Sequence, residues 1–123
     1  MNKYYKRFFF AISFLFVSIG ISNENFTLPS GVSAIRLGGL TSCVSLKEIR
    51  VEEGNEHYKS KEGILYTIGK TDVVQYPIGN ENSMYRIGES VERIREGAFM
   101  NSRYLKSVQI GGGVRSIGKE AFK

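Results

Sequence analysis

Ile87, Val91, Ile94, Ala98 and Phe99 return as Ile110, Val114, Ile117, Ala121 and Phe122, each displaced by 23 residues. A worn third copy begins at Leu28. In it Val32, Ile35, Leu40, Leu46, Ile49 and Val51 stand where the later copy has Val91, Ile94, Phe99, Leu105, Val108 and Ile110. Apolar positions that keep register while the residues between them vary are what a stacked repeat requires, because each unit buries its apolar edge only against its neighbours. Such a chain folds as a one-dimensional stack and not around one central core.

Within a unit, Leu46, Ile49 and Val51, and again Leu105, Val108 and Ile110, follow the form apolar-x-x-apolar-x-apolar. Its closing period of two predicts a short strand with one buried side. Glu48, Arg50, Ser107 and Gln109 fall between those positions and face outward. A glycine-containing turn follows, then Val91 and Ile94, then a compact turn that sets Phe99 inward. Strands of successive units lie side by side as a parallel ladder with one solvent-facing surface. The predicted fold is therefore a repeat solenoid of short parallel strands joined by irregular or short helical turns. Its units run at about 28–51, 51–86, 87–109 and, incompletely, 110–123.

Val51 and Ile87 stand 36 residues apart, 13 more than the period. The interruption contains two β-prone runs, Gly63 to Tyr66 and Val73 to Pro77, separated by Thr67 to Asp72, a stretch able to close an inserted hairpin. Tyr58, Tyr66, Tyr76 and Tyr85 cluster there. A tyrosine offers large apolar area, a polar tip and little entropy to lose, which suits it to contact surfaces. Tyr58, Tyr66 and Tyr76 accordingly join the four outward ladder residues as candidate binding residues. The reading preferred over this one is that they cap the core beneath the hairpin, which must cover something to be stable.

The first thirty residues read as a targeting segment. Lys3, Lys6 and Arg7 precede an uncharged run from Phe8 to Ile21. As a helix that run would span roughly 21 Å, short of the ~30 Å hydrocarbon core of a bilayer. A signal peptide over residues 1–22 is expected, with Gly20 and Ser22 as the small residues before cleavage and Asn23 as the first mature residue. Residues 23–123 then form the repeat domain, exported to the cell surface or medium, with no integral membrane span after cleavage. Cys43 lies too far beyond the apolar run to be a lipoprotein attachment site. Of the net charge of +5, three units come from the N-terminal basic residues. The remaining +2 is too little for a phosphate-binding face, so no nucleic-acid partner is expected.

Catalytic and metal chemistry find little material. With one cysteine the chain forms no internal disulfide, and Cys43 matches Ser102 of the later copy, a small turn position suited to burial. His57 sits in a polar stretch with Glu52, Glu53 and Glu56, which lacks the alternating aspartates of a calcium loop; Asp72 is the chain's one aspartate. Gly111, Gly112 and Gly113 lack the Lys-Ser/Thr that a phosphate-cradling loop needs. No catalytic residue, metal or cofactor is expected.

The pattern I-G-x-x-V-x-x-I-x-x-x-A-F-x-x-S-x-x-L-x-x-V-x-I, from Ile87 to Ile110, resembles the BspA-like leucine-rich repeat. The Gly-x-Leu-Tyr and Tyr-Pro elements of the interruption resemble an insertion common in that family. The resemblance implies a right-handed solenoid found in surface proteins generally regarded as adhesins, hence a binding module for a protein or other macromolecule on a host or neighbouring cell. A second possibility is a structural fragment capping a longer repeat array. The departures are Gly39-Leu40 in place of Ala-Phe, and a last copy that stops before its own strand. That open edge is expected to pair with another strand or to fray.

Overall fold

The computed structural model describes residues 24–35, 40, 41 and 43–123, and the expected signal segment lies outside them. Nine short strands carry the architecture, and the turns between them are irregular, with no helix among the described residues.

Strand β1 (Asn25–Leu28) runs parallel to β2 (Glu48–Val51), with Leu28 opposite Val51, the 23-residue pair that opens and closes the first unit. Leu28 is buried, and β1 lies beyond residues 1–22, the segment expected as a signal peptide. Three strands then follow in antiparallel order: β3 (Tyr58–Lys61), β4 (Ile64–Thr67) and β5 (Asp72–Gln75). Glu62 and Gly63 both adopt positive φ, 56° and 79°, as a two-residue hairpin loop must to match the strand twist. Next come β6 (Met84–Arg86), β7 (Arg93–Ile94), β8 (Ser107–Gln109) and β9 (Ser116–Ile117). β6 pairs in parallel with β8, and β5, β7 and β9 extend the antiparallel strands into one mixed sheet ordered β3-β4-β5-β7-β9.

The expected single ladder is thus two separate pairs, β1-β2 and β6-β8. The β3-β4 hairpin divides them. Ile49 N–H donates to the Gly63 carbonyl at 2.8 Å, and Ser60 Oγ donates to the Ile49 carbonyl at 2.6 Å, so the hairpin takes up the backbone groups of β2 that a next ladder strand would have used.

The position of the insertion also needs correction. β5 pairs in parallel with β7, Val73 standing opposite Ile94, whereas β3 and β4 pair only in antiparallel fashion, so the added residues are those of the β3-β4 hairpin. β5 is the unit's own strand, although the sequence pattern groups it with the insertion. Beyond it the period resumes: Tyr76, Phe99 and Phe122 are spaced by 23 and stack face to face, with centroids 5.2 and 5.1 Å apart.

Burial explains the uninterrupted apolar run of β4 and β5. Leu65 and Val74 face a cluster formed by Leu28, Leu46 and Ile49, whereas Ile64, Tyr66 and Val73 face one built on Ile87, Ile94 and Phe99. The two strands form a wall with a core on either side, and a strand buried on both faces shows no polar alternation.

Backbones of successive turns approach closely. A Cβ at Gly118 would lie 2.3 Å from the Glu96 nitrogen, whereas one at Gly88 would meet nothing within 4 Å. Gly118→Ala should therefore destabilise by about 1–3 kcal/mol, and Gly88→Ala should be neutral or stabilising by up to about 1 kcal/mol. Chemical denaturation of the pair measures the contrast. By the same measurement, Phe99→Ala and Ile94→Ala should each cost about 2–5 kcal/mol, while the exposed Arg50→Ala and Gln109→Ala should stay within about 0.5 kcal/mol.

Candidate functional site

The outward ladder residues occur where strand alternation puts them. Arg50, Ser107 and Gln109 are exposed and Glu48 is half-buried. Because the ladder is split, they form two patches. On the first, Glu48 stands opposite Asn25 and Arg50 opposite Thr27, with Arg50 Nη2 3.0 Å from Glu48 Oε1. On the second, Ser107 stands opposite Met84 and Gln109 opposite Arg86. Directly opposed residues of paired strands share a face. Asn25, Thr27, Met84 and Arg86 are exposed members of these patches that sequence analysis missed, although each lies 23 residues before one it named. Met84 stands out as an apolar side chain 62% exposed.

The three candidate tyrosines are a correction. Tyr58, Tyr66 and Tyr76 are all buried, so they present no contact surface. Each packs into core because the hairpin is enclosed within the stack and does not lie over it. Their hydroxyls are satisfied internally: Tyr58 accepts from the Ile35 N–H at 3.2 Å, Tyr76 donates to Asn80 Oδ1 at 3.2 Å, and Tyr66 shares a short hydrogen bond with Tyr85. Burial pushes the Tyr76 phenol up to about 12, assisted by the charge of Tyr85. Burial also raises Tyr85, reinforced by its bond to Tyr66, and raises Tyr66 against the opposing effect of that bond.

Two polar residues do more for the fold than sequence analysis assigned them. Asn55 sits at the polar stretch that was expected to be loop, yet it is buried and satisfied at both ends. Its Nδ2 donates to the carbonyls of Pro29 and Val32, both at 3.0 Å, and its Oδ1 accepts from the N–H groups of His57 and Tyr58. Asp72, also buried, accepts from Arg95 Nε at 2.9 Å and from Arg93 Nη1 at 3.4 Å. The 23-residue step from Val32 to Asn55 was the available signal for the first, and the step from Asp72 to Arg95 for the second.

Cys43 is buried among the first core cluster, and burial pushes its thiol up, which disfavours the thiolate that a nucleophile or metal ligand needs. His57 is exposed. Among the described residues no group of three or more His, Cys, Asp or Glu side chains is gathered as a metal site, and no helix is long and apolar enough to cross a membrane. At the C-terminal end a cleft of about 370 Å³ opens between Phe99, Leu105, Val108 and Phe122. There the Ser102 hydroxyl is buried without a hydrogen bond among the described residues, and Ile110, Ile117 and Phe122 are exposed.

The model of a BspA type leucine rich repeat region (6 copies) matches residues 79–123. Among solved structures, a leucine-rich repeat protein from Eubacterium ventriosum is 26% identical with a TM-score of 0.77, over 80% of this chain and 27% of that one. The pneumococcal vaccine antigen PcpA is 31% identical with a TM-score of 0.76, over 80% and 24%. A leucine rich cell surface protein from Faecalibacterium prausnitzii is 28% identical with a TM-score of 0.71, over 80% and 26%. The chain spans about a quarter of the length of each. No curated protein matches it.

Two outcomes are expected. Asn55→Ala removes four hydrogen bonds inside the fold and should cost about 3 kcal/mol or more in thermal or chemical denaturation. Stability should also fall as pH rises from about 10 to 12. Over that range the unfolded chain loses phenol protons that folded Tyr76 retains, so the folded state binds more protons and each rise in pH favours unfolding. Tyr76→Phe should reduce that loss, as followed by circular dichroism.

Proposed function

Because the chain carries a BspA-type leucine-rich repeat region, we propose that it works as a binding module on the cell surface or in the medium, contacting a protein or other surface macromolecule through its ladder face. One observation carries this most directly. Asn25, Thr27, Arg50, Met84, Arg86, Ser107 and Gln109 are exposed on rigid strands, while the residues alternating with them are at least partly buried and carry the packing. Such residues are able to vary without cost to the core, and strands hold them in fixed positions. Two of the similar structures come from a cell surface protein and a vaccine antigen, which supports an external location.

The same proposal includes export by a signal peptide over residues 1–22 and a repeat domain over 23–123. It includes no catalytic step, in keeping with the burial of Cys43 and the internal bonding of the tyrosines. Mass spectrometry of the exported protein should give Asn23 as its first residue, and a product retaining Met1 to Ile21 would contradict export by cleavage. Binding to a panel of immobilised extracellular matrix proteins should be weakened by Arg86→Ala and Gln109→Ala, with melting temperatures near that of the parent. Full binding by both variants to every matrix protein captured by the parent would overturn the ladder-face assignment.

A further inference from the structure

A second cleft, of about 380 Å³, opens between the turn at Ser33 to Ile35 and the start of β3, on the side of the mixed sheet. Its volume falls in the range of small-ligand sites, roughly 300–1,000 Å³. Its polar lining comes from Ser33, His57, Tyr58, Thr67 and Arg95, with Ala34 and Ile35 as apolar components and no carboxylate among the described lining residues. Every one of these polar side chains has a proton to donate. Tyr58 accepts the Ile35 N–H, which leaves its own O–H available, and Thr67 Oγ1 accepts the Asp72 N–H at 3.2 Å, which leaves its own as well. The hydroxyl of Ser33 and the imidazole of His57 have no hydrogen bond among the described residues, and both residues are exposed.

Arg95 sets the charge of the cleft. Asp72, buried outside the lining, holds its Nε at 2.9 Å, which fixes the guanidinium plane and leaves the two terminal nitrogens without a partner among the described residues. The side chain remains 37% exposed. The next unit has Gly118 at the equivalent place, so an arginine is no part of the repeat pattern itself; within this unit its Nε is taken by Asp72. One oriented guanidinium with two open N–H-bearing nitrogens matches the two oxygens of a single carboxylate. Among the described residues Arg95 is the only lysine or arginine in the lining. Ile68, 49% exposed, follows Thr67 and bonds through its N–H to the His57 carbonyl at 2.9 Å, placing apolar surface next to the donors.

We propose that this cleft binds a carboxylate carried on a small apolar body, with Arg95 as the charged anchor and His57, Ser33, Tyr58 and Thr67 as surrounding donors. It draws on none of the ladder residues, so it stands or falls apart from the proposed ladder-face function.

The test is a ¹H–¹⁵N correlation titration of the chain with N-acetyl-leucine, run beside N-acetyl-leucinamide, which lacks the charge, and inorganic phosphate. N-acetyl-leucine should shift the amides of Ser33 to Ile35, His57, Tyr58, Thr67, Ile68 and Arg95, with little response to the amide and a weaker one to phosphate. Arg95→Gln should weaken binding roughly tenfold or more. Because that variant also leaves Asp72 with one partner fewer, His57→Ala and Ser33→Ala serve as companions. Each alters an exposed side chain and should weaken binding by a few fold while leaving the melting temperature in place. Absence of shifts at these amides, equal shifts with N-acetyl-leucinamide, stronger binding of phosphate, or unaltered affinity in both companions would overturn the proposal.

Discussion

Leu65 and Val73 face opposite ways out of one antiparallel pair, and both are fully buried. Everything else in the chain is arranged around that double burial. A repeat stack normally passes one continuous core from unit to unit, and inserting a hairpin into it exposes two new edges unless both faces are covered. Here β4 and β5 give each face to a different cluster, one closed by the first unit and the other by the later units. β4 of the insertion and β5 of the unit itself together become the partition through which the first unit is joined to the later ones. Apolar burial at roughly 25 cal/mol per Å² favours that arrangement strongly over a hairpin lying on the surface.

The joint needs register as well as contact, and buried polar groups supply it. Asn55 reaches back to Val32, Gln75 reaches forward to the Ala98 carbonyl, and Asp72 reaches forward to Arg95, each across 23 residues. A hydrophobic wall tolerates sliding by a residue at modest cost. A buried amide or carboxylate that loses its partner does not, since each orphaned group costs about 1–3 kcal/mol. The period visible in the sequence as spaced apolar residues is therefore enforced in the fold largely by polar ones.

This division explains which parts were legible. Phe99, Ile94 and Val91 announced themselves because apolar side chains recur in register, and β8 and β2 followed from the period-two pattern around Val108 and Ile49. The tyrosines supported two readings because a large amphipathic side chain has the same composition signal in a core as at an interface; their burial agrees with the core reading and removes them from the contact surface. Asn55 was hidden for a related reason: a buried bracket and a solvated loop both use asparagine. Asn25, Thr27, Met84 and Arg86 were within reach, because the 23-residue step that identified Leu28 and Val51 also pairs them with Glu48, Arg50, Ser107 and Gln109. The split of the ladder was not, since it depends on where the Glu62-Gly63 turn lands against Ile49.

The units are alike in core yet differ in backbone, and the difference follows from what each one stacks upon. Gly97 and Glu120 occupy the same place one period apart, and both have positive φ, 69° and 55°. The turn thus keeps its left-handed residue even where the side chain is one that disfavours it. Two residues earlier in the chain the demand changes: Arg95 and Gly118 are equivalent, and at Gly118 the Glu96 backbone of the preceding unit is pressed against the Cβ position. A conserved path with changing neighbours means that identity at a position is set by the adjacent unit as much as by the repeat. For the ladder face this matters directly. Arg50, Arg86 and Gln109 are exposed there, so the stack constrains them less than it constrains Gly118, and at those positions the sequence has latitude to vary.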